Sequence, residues 1–464
     1  MPEPPLVLRV ETPDGVFLRP IMAASLLPPD VVHGAAAEDA TRDAAAFWGL
    51  PDFVFRPALR PRGSGSRELG DAILVVGDRA ASVQVKARHA PSNDDRRERS
   101  WLDKKIREGA RQATGTIRTL SSTPTTSLVN ERGRSVAIEV ARRTWLKVVV
   151  VDHPGITAYL PTAGAVVLLR RDWEFLFEQL KSTYAVLEYL YRVNSDPPVP
   201  LGEEPVRYYE FAAADAVAPP GEGDPRLTAL GSEPKSVPQL PQAPAGHGED
   251  QFHVVVRTVL EDIATTGSAD ETARLDALAA IDSIPVAYRA ELGRDILRWM
   301  AEVAAVPEPG QTWRFRNIPW PGRPYLLFGV ATRFGATVAA TFRDYVSLRH
   351  QQQLELMPER AEMLSVGVLL TPRHDGYRPW DTTMVATRGD QGLDPRSRDA
   401  LELLWGPLGT TVWEADWDRV AEAFEAAKQT PQPPERLAAR TDTAGTGRAV
   451  QRSLARFVGG TMSR

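Results

Sequence analysis

Residues 68–86, Glu-Leu-Gly-Asp-Ala-Ile-Leu-Val-Val-Gly-Asp-Arg-Ala-Ala-Ser-Val-Gln-Val-Lys, constrain this chain more than any other stretch. Residues 72–76 form a nearly continuous apolar run, Gly77-Asp78-Arg79 is a turn signal, and residues 81–85 alternate. That is the pattern of a β-hairpin. Side chains two apart on a strand share a face, so Gln84 and Lys86 point one way while Val83 and Val85 point into the core. Asp71, where the first strand opens, can meet them across the pair. An acid, a second oxygen ligand and a lysine on one sheet face make a site for a divalent cation and a phosphate.

At 464 residues the chain exceeds one ordinary core, so two domains are expected, 1–193 and 251–430, with a Pro/Gly-rich linker at 194–250 (or partly ordered edge structure around 206–211 within it) and a tail at 431–464. Apolar residues make up 43% and charged residues 25%, the balance of a globular chain rather than a disordered one. There is no cysteine. Disulfides and thiolate metal sites are therefore excluded, and a metal must be held by oxygen or by one of seven histidines. The first residues, Met-Pro-Glu-Pro-Pro, lack the charged-then-apolar pattern of a signal peptide, and no apolar run reaches the ~18 residues needed to span a bilayer. The expectation is a cytoplasmic protein with no membrane partner. A formal charge of −5 gives no global attraction to nucleic acid, so such affinity requires a local patch.

Taken in order, the first ~30 residues are Pro-rich with short apolar pieces. Residues 34–49 read as an Ala-rich helix with Glu38 in its first turn, 53–55 as a short strand, and 62–66 as a Gly/Ser loop ahead of the hairpin. Residues 92–99 read as a charged loop and 101–120 as a long amphipathic helix, apolar at Leu102, Ile106, Ala110, Ala113 and Ile117. Strands are expected at 136–140, 146–151 and 165–169, then one long helix over 172–193. In the second half the pattern predicts helices at 251–263, 269–280, 285–303, 338–356, 396–405 and 417–428, and a short one at 450–458. It predicts strands at 313–316, 325–331, 364–370 and 382–387.

The resulting order is an acid on a helix, a strand, an acid on a strand, Gln-x-Lys on the next strand, and a helix. This resembles the restriction-endonuclease-like, PD-(D/E)XK nuclease superfamily, in its Mrr-like branch, where glutamine replaces the second acid of the triplet. Glu38 with Gly49 about three turns later, Gly70-Asp71, and Gln84-Val85-Lys86 carry the likeness, which covers roughly residues 30–190. It implies an α/β fold with an N-terminal restriction-endonuclease-like mixed sheet flanked by helices, alongside a C-terminal helix-rich α/β domain. Unlike many members of the branch, this chain has Glu68 on the approach to Asp71, and both are candidates for the metal.

The resemblance implies a Mg²⁺-dependent (or Mn²⁺-dependent) endonuclease acting on DNA, in defence or restriction. Phosphodiester hydrolysis needs a hard cation to polarise the phosphate and acidify a water, and magnesium takes few protein oxygens. In that reading Asp71 is the main ligand, Glu38 joins it directly or through water, and Gln84 lends its carbonyl oxygen. Lys86 holds the attacking water or offsets charge at the phosphate. A glutamine carries less charge than a glutamate, so the site favours one strongly held metal.

Lys104, Lys105, Arg107 and Arg111 follow on the next helix, with Lys104, Arg107 and Arg111 three and four apart on one face. They suit phosphate contacts. The interleaved Asp103 and Glu108 fit a solvated face equally. In the second half, Trp313-Arg-Phe-Arg316, Pro319-Trp320-Pro-Gly322 and the 373–381 segment mix aromatics with arginines, a pattern of core more often than of a base-stacking surface. His350, His374 and Asp381 are too scattered for a metal site. No nucleotide-binding Gly-rich motif is present, so the chain carries no nucleotide motor of its own. Nucleases of this kind often rely on a separate motor or targeting protein or on a homodimer, and the C-terminal half is the candidate for recognition or assembly. The rival readings are a nuclease-fold module that binds nucleic acid without cutting it, and an interaction protein with no nucleic-acid role.

Overall fold

The computed structural model describes residues 6–217, 240–242 and 250–402, less breaks at 13–14, 57–58, 63–64, 69, 155–158, 163, 267–269, 308–311, 319–322, 374–378, 391–392, 394–397 and 400. The helices expected at 417–428 and 450–458, most of that at 396–405, and His374 and Trp320 lie outside the described residues. The chain divides into two compact units, one of residues 1–222, 235–260 and 278–294, the other of 223–234, 261–277 and 295–464.

The first unit is mixed α/β. After the hairpin β1 (Leu6–Thr12) and β2 (Gly15–Ile21), helix α1 (His33–Trp48) leads into β3 (Val54–Arg56). A small hairpin, β4 (Leu59–Arg62) and β5 (Gly65–Glu68), occupies the stretch expected as a Gly/Ser loop. Then come β6 (Ala72–Val76), β7 (Arg79–Ala87) and the long helix α2 (Asp95–Leu120). The hairpin β8 (Thr125–Asn130) and β9 (Ser135–Glu139) precedes β10 (Thr144–Asp152) and β11 (Val166–Leu169). A seven-stranded sheet runs β11-β10-β7-β6-β3-β8-β9. Strands β3, β6 and β7 are antiparallel neighbours, whereas β7, β10 and β11 are mutually parallel.

Local chemistry explains these elements. The β6–β7 turn is two residues, with Gly77 at φ 55°, the positive angle that primed hairpin turns require. β10 carries Val148-Val-Val-Val151, every one fully buried, as suits a parallel strand covered on both faces. α2 starts earlier than its apolar pattern suggests, because the Asp94 carboxylate accepts the Arg96 and Arg97 N–H groups and caps it. The expected charged loop at 92–99 is therefore largely the first turn of this helix.

The single helix expected over 172–193 is two, α3 (Arg170–Leu180) and α4 (Thr183–Asn194). Lys181 adopts the left-handed conformation (φ 47°) and the Ser182 hydroxyl caps α4 through the Ala185 N–H, so apolar spacing continues through a real break. Inside the expected linker lies α5 (Glu204–Val217), whose Tyr208, Tyr209 and Ala212 are buried.

Two layers of helix cover the sheet. α2 lies on the face of Val149 and Val151, against which Leu102, Ile106 and Ala110 pack. Because β7 and β10 pair Gln84 with Val149 and Lys86 with Val151, both site residues belong to this α2 face. Asp152, one residue on, belongs to the opposite face, where Arg170 at the start of α3 and His33 at the start of α1 reach it. α1 and α3 are bound there by the Trp173 indole N–H donating to the Thr41 carbonyl at 2.9 Å.

Helices α6 (Asp250–Thr265), α7 (Glu271–Asp282) and α8 (Val286–Ala304) cross the division between the units. The second unit holds a four-stranded sheet in the order β12 (Trp313–Ile318), β13 (Tyr325–Ala331), β14 (Leu364–Pro372), β15 (Trp380–Arg388). Helix α9 (Ala336–Leu356) makes the crossover between the parallel pair β13 and β14. Trp313, Phe315, Phe342 and Tyr345 form its core, so the Trp-Arg-Phe-Arg run is structural. His350 is buried between the Ser365 hydroxyl and the Gly389 carbonyl, both at 2.8 Å, which makes it structural too.

No helix among the described residues is long and apolar enough to cross a membrane.

Candidate active site

The hairpin brings Asp71, Gln84 and Lys86 together. Register sets Ala72 opposite Val83, so Asp71, one residue earlier, faces Gln84. Its own N–H donates to the Val83 carbonyl at 3.2 Å. Asp71 Oδ2 accepts the Val85 N–H at 2.6 Å and stands 3.9 Å from Lys86 Nζ. Lys86 also donates to the Val85 carbonyl at 2.9 Å. Both side chains are largely enclosed, 15% exposed for Asp71 and 12% for Lys86.

Enclosure has an electrostatic consequence. Burial pushes the Asp71 carboxyl above its ordinary pKa, and the Val85 N–H, the Lys86 ammonium and the Arg42 guanidinium only partly offset it. The ionised form is thus under-compensated, and a bound cation would supply the missing charge. Gln84, 2% exposed, has its Nε2 buried without a hydrogen-bond partner. Amide nitrogen and oxygen exchange places by a simple flip, and an oxygen at that end would suit a cation. The donor set fits one hard cation: a carboxylate and an amide oxygen, with water and phosphate for the rest. Among the described residues, no group of three or more His, Cys, Asp or Glu converges to hold a metal.

Glu38 is half-buried on α1, in the layer across the sheet from Gln84 and Lys86. The helix does reach the site through Arg42, whose Nη1 donates to the Asp71 carbonyl at 2.9 Å while its Nε lies 3.4 Å from Glu131. Sequence reasoning passed over Arg42, although it sits one turn beyond Glu38. Glu68 ends β5, and its side chain lies outside what is described.

α2 closes the site from above. A Cβ on Gly109 would fall 3.5 Å from Lys86 Cε and 3.0 Å from Val149, so glycine there admits the lysine stem beneath the helix. Gly70 takes φ +89°, and a Cβ on it would lie 2.7 Å from Gln84 Nε2 and 3.6 Å from the Thr116 hydroxyl of α2. Gln112, between Gly109 and Thr116 on that helix face, has its Oε1 buried and unpartnered. The signal for these residues was their spacing, 109, 112 and 116, on the inner face of α2.

The cationic stripe is partly spent internally. Lys105 donates to Glu108 at 2.9 Å, and Arg107 folds back on the Asp103 carbonyl at 3.0 Å. Lys104, Arg107 and Arg111 are exposed. Lys105 chiefly, with help from Lys86 and Arg111, holds the Glu108 carboxyl below its ordinary range.

Against known proteins, the chain matches no family model, no curated protein and no solved structure.

Proposed function

We propose that the first unit is a nuclease that hydrolyses phosphodiester bonds in DNA with the help of one divalent cation, Mg²⁺ or Mn²⁺. The observation that carries this reading is the convergence of Asp71, Gln84 and Lys86 on adjoining strands, with Lys86 Nζ 3.9 Å from Asp71 Oδ2. Their setting supports it: helix, strand, an inserted β4–β5 hairpin, a strand directly after Asp71, a strand with Gln-x-Lys, and a helix. Apart from the insertion, this is the order that the likeness to Mrr-like PD-(D/E)XK nucleases implied.

Asp71 and Gln84 would hold the cation, which when bound polarises the scissile phosphate and lowers the pKa of a water. Lys86 stabilises negative charge developing on the phosphate or orients the water, in a site dry enough to strengthen that interaction. Lys104, Arg107 and Arg111 contact the backbone of the substrate. The second unit serves recognition or assembly, and a defence role follows the family likeness.

A second reading has its own observation. Lys86 turns back to the Val85 carbonyl and Gln84 is buried, an arrangement that suits a nuclease-fold module binding DNA without cutting it. Incubation of supercoiled and single-stranded DNA with Mg²⁺, Mn²⁺ or EDTA separates the two. Cutting abolished by EDTA supports the nuclease; salt-dependent retention of DNA with no cutting supports the module.

A further inference from the structure

The parallel strands β7, β10 and β11 end side by side, and their carboxyl ends open on a pocket of about 540 Å³. Open α/β sheets characteristically take ligands at this end, and the volume suits a small molecule of nucleotide size. The residues just past each strand supply the lining: Arg88 and His89 after β7, His153 after β10, Arg170 and Arg171 after β11. His33, the first residue of α1, completes it, and Asp152 is the lining carboxylate among the described residues.

Among the described residues, the lining itself carries three arginines against one carboxylate. Asp152 is already engaged, by Arg170 Nε at 2.7 Å on one oxygen and by His33 Nε2 at 2.9 Å on the other. The latter contact is too poorly aligned to be a hydrogen bond. Glu98 grips Arg88 at 2.7 Å, and Glu174 grips Arg170, but neither acid lines the cavity. Glu98 takes both Nε and Nη2 of Arg88, while Asp152, Glu174 and Ser25 take Nε, Nη1 and one Nη2 hydrogen of Arg170. Arg88 Nη1 and the second Nη2 hydrogen of Arg170 are the donors these contacts leave over. Arg88 is further fixed over the Trp101 ring, 5.3 Å from its centroid. His89 is exposed, its ring 5.0 Å from that of His33 in an edge contact. Two helices, α1 and α3, also begin at the lining and add positive potential there.

We propose that this pocket binds a small phosphorylated ligand, with the phosphate held by the remaining guanidinium donors of Arg88 and Arg170 and by the paired imidazoles. The proposal is independent of the nuclease reading, since neither His33 nor His89 belongs to the Asp71 site. The test is titration of the full chain with inorganic phosphate and with adenosine 5′-monophosphate, followed by calorimetry and ³¹P NMR, against a His33→Gln/His89→Ala double variant. Expected is saturable binding that the variant weakens about tenfold or more, roughly 1.4 kcal/mol, with an unchanged circular dichroism spectrum and melting temperature. If the variant folds poorly, His89→Ala alone, at an exposed site, carries the comparison. Equal affinity for both ligands assigns the site to the phosphate group; tighter binding of the nucleotide assigns the remaining volume to the nucleoside. Failure of both to bind at millimolar concentration, or binding untouched in the variant, overturns the proposal, even if DNA is retained.

Discussion

Lys86 Nζ stands 3.9 Å from Asp71 Oδ2, beyond hydrogen-bonding distance, and satisfies itself on the Val85 carbonyl instead. The pair is a loose ion pair, close enough to share a ligand, and its attraction only partly offsets the burial that raises the Asp71 carboxyl.

That shortfall has a sign. A carboxyl whose folded pKa is raised above 3.8 binds more protons in the folded state, so the protein loses stability as pH rises from 3.8 through the folded value. At neutral pH the charge is a cost that a cation would relieve. Asp71→Asn is therefore expected to be at least as stable as the wild type without metal, by thermal melting at pH 7.5. Mn²⁺ should raise the wild-type melting temperature at that pH, with little effect at pH 4 and none in the variant. A variant less stable by more than about 1 kcal/mol, a typical single-substitution loss, contradicts this.

Gly70→Ala tests the backbone beneath the site. The residue takes φ +89° and its Cβ would press on Gln84. A cost of about 1–3 kcal/mol is expected from the strained conformation alone, read as a lower urea midpoint, together with reduced cleavage because Gln84 is displaced. Unchanged stability would show that the loop relaxes freely.

Gly109→Leu should act through Lys86 rather than through chemistry. The helix touches both Val149 and the lysine stem at this point, so overpacking by about 1–3 kcal/mol is expected. Normal melting and normal activity in this variant would contradict the close approach.

Glu98 gives a pH signature away from the site. Arg88 first, then His153 and the Ser92 N–H, hold its carboxyl down from 4.5 to about 2, against the opposing effect of burial. Depression of this kind contributes stability that is complete above 4.5 and is lost as pH falls from there toward 2. Glu98→Gln should flatten the pH dependence of the urea midpoint in that window. An identical slope in both proteins would remove Glu98 as its source.

Much of this was legible in the sequence. The hairpin and the helices on either side of it were marked by a Gly-Asp turn, a valine run and 3.6-residue spacing, all local signals. What was not legible depended on features without periodicity. A Lys in the left-handed conformation followed by a capping serine split one expected helix at 181–182. Two tyrosines and an alanine at helical spacing turned a Pro-rich linker into a packed element. Arg42 and Gly109 became visible only when helices were laid on the sheet, because their roles arise across layers. The layers also set Glu38 across the sheet from Gln84 and Lys86, a distinction that linear order does not contain.

The most direct measurement is metal-dependent cleavage of supercoiled plasmid by the wild type, Asp71→Ala and Lys86→Ala under single-turnover conditions. The account predicts cutting by the wild type that EDTA abolishes, a loss of about 10²–10³-fold or more in each variant, and retained DNA binding in Lys86→Ala. Wild-type protein that does not cut, or variants that cut at the wild-type rate, would contradict it.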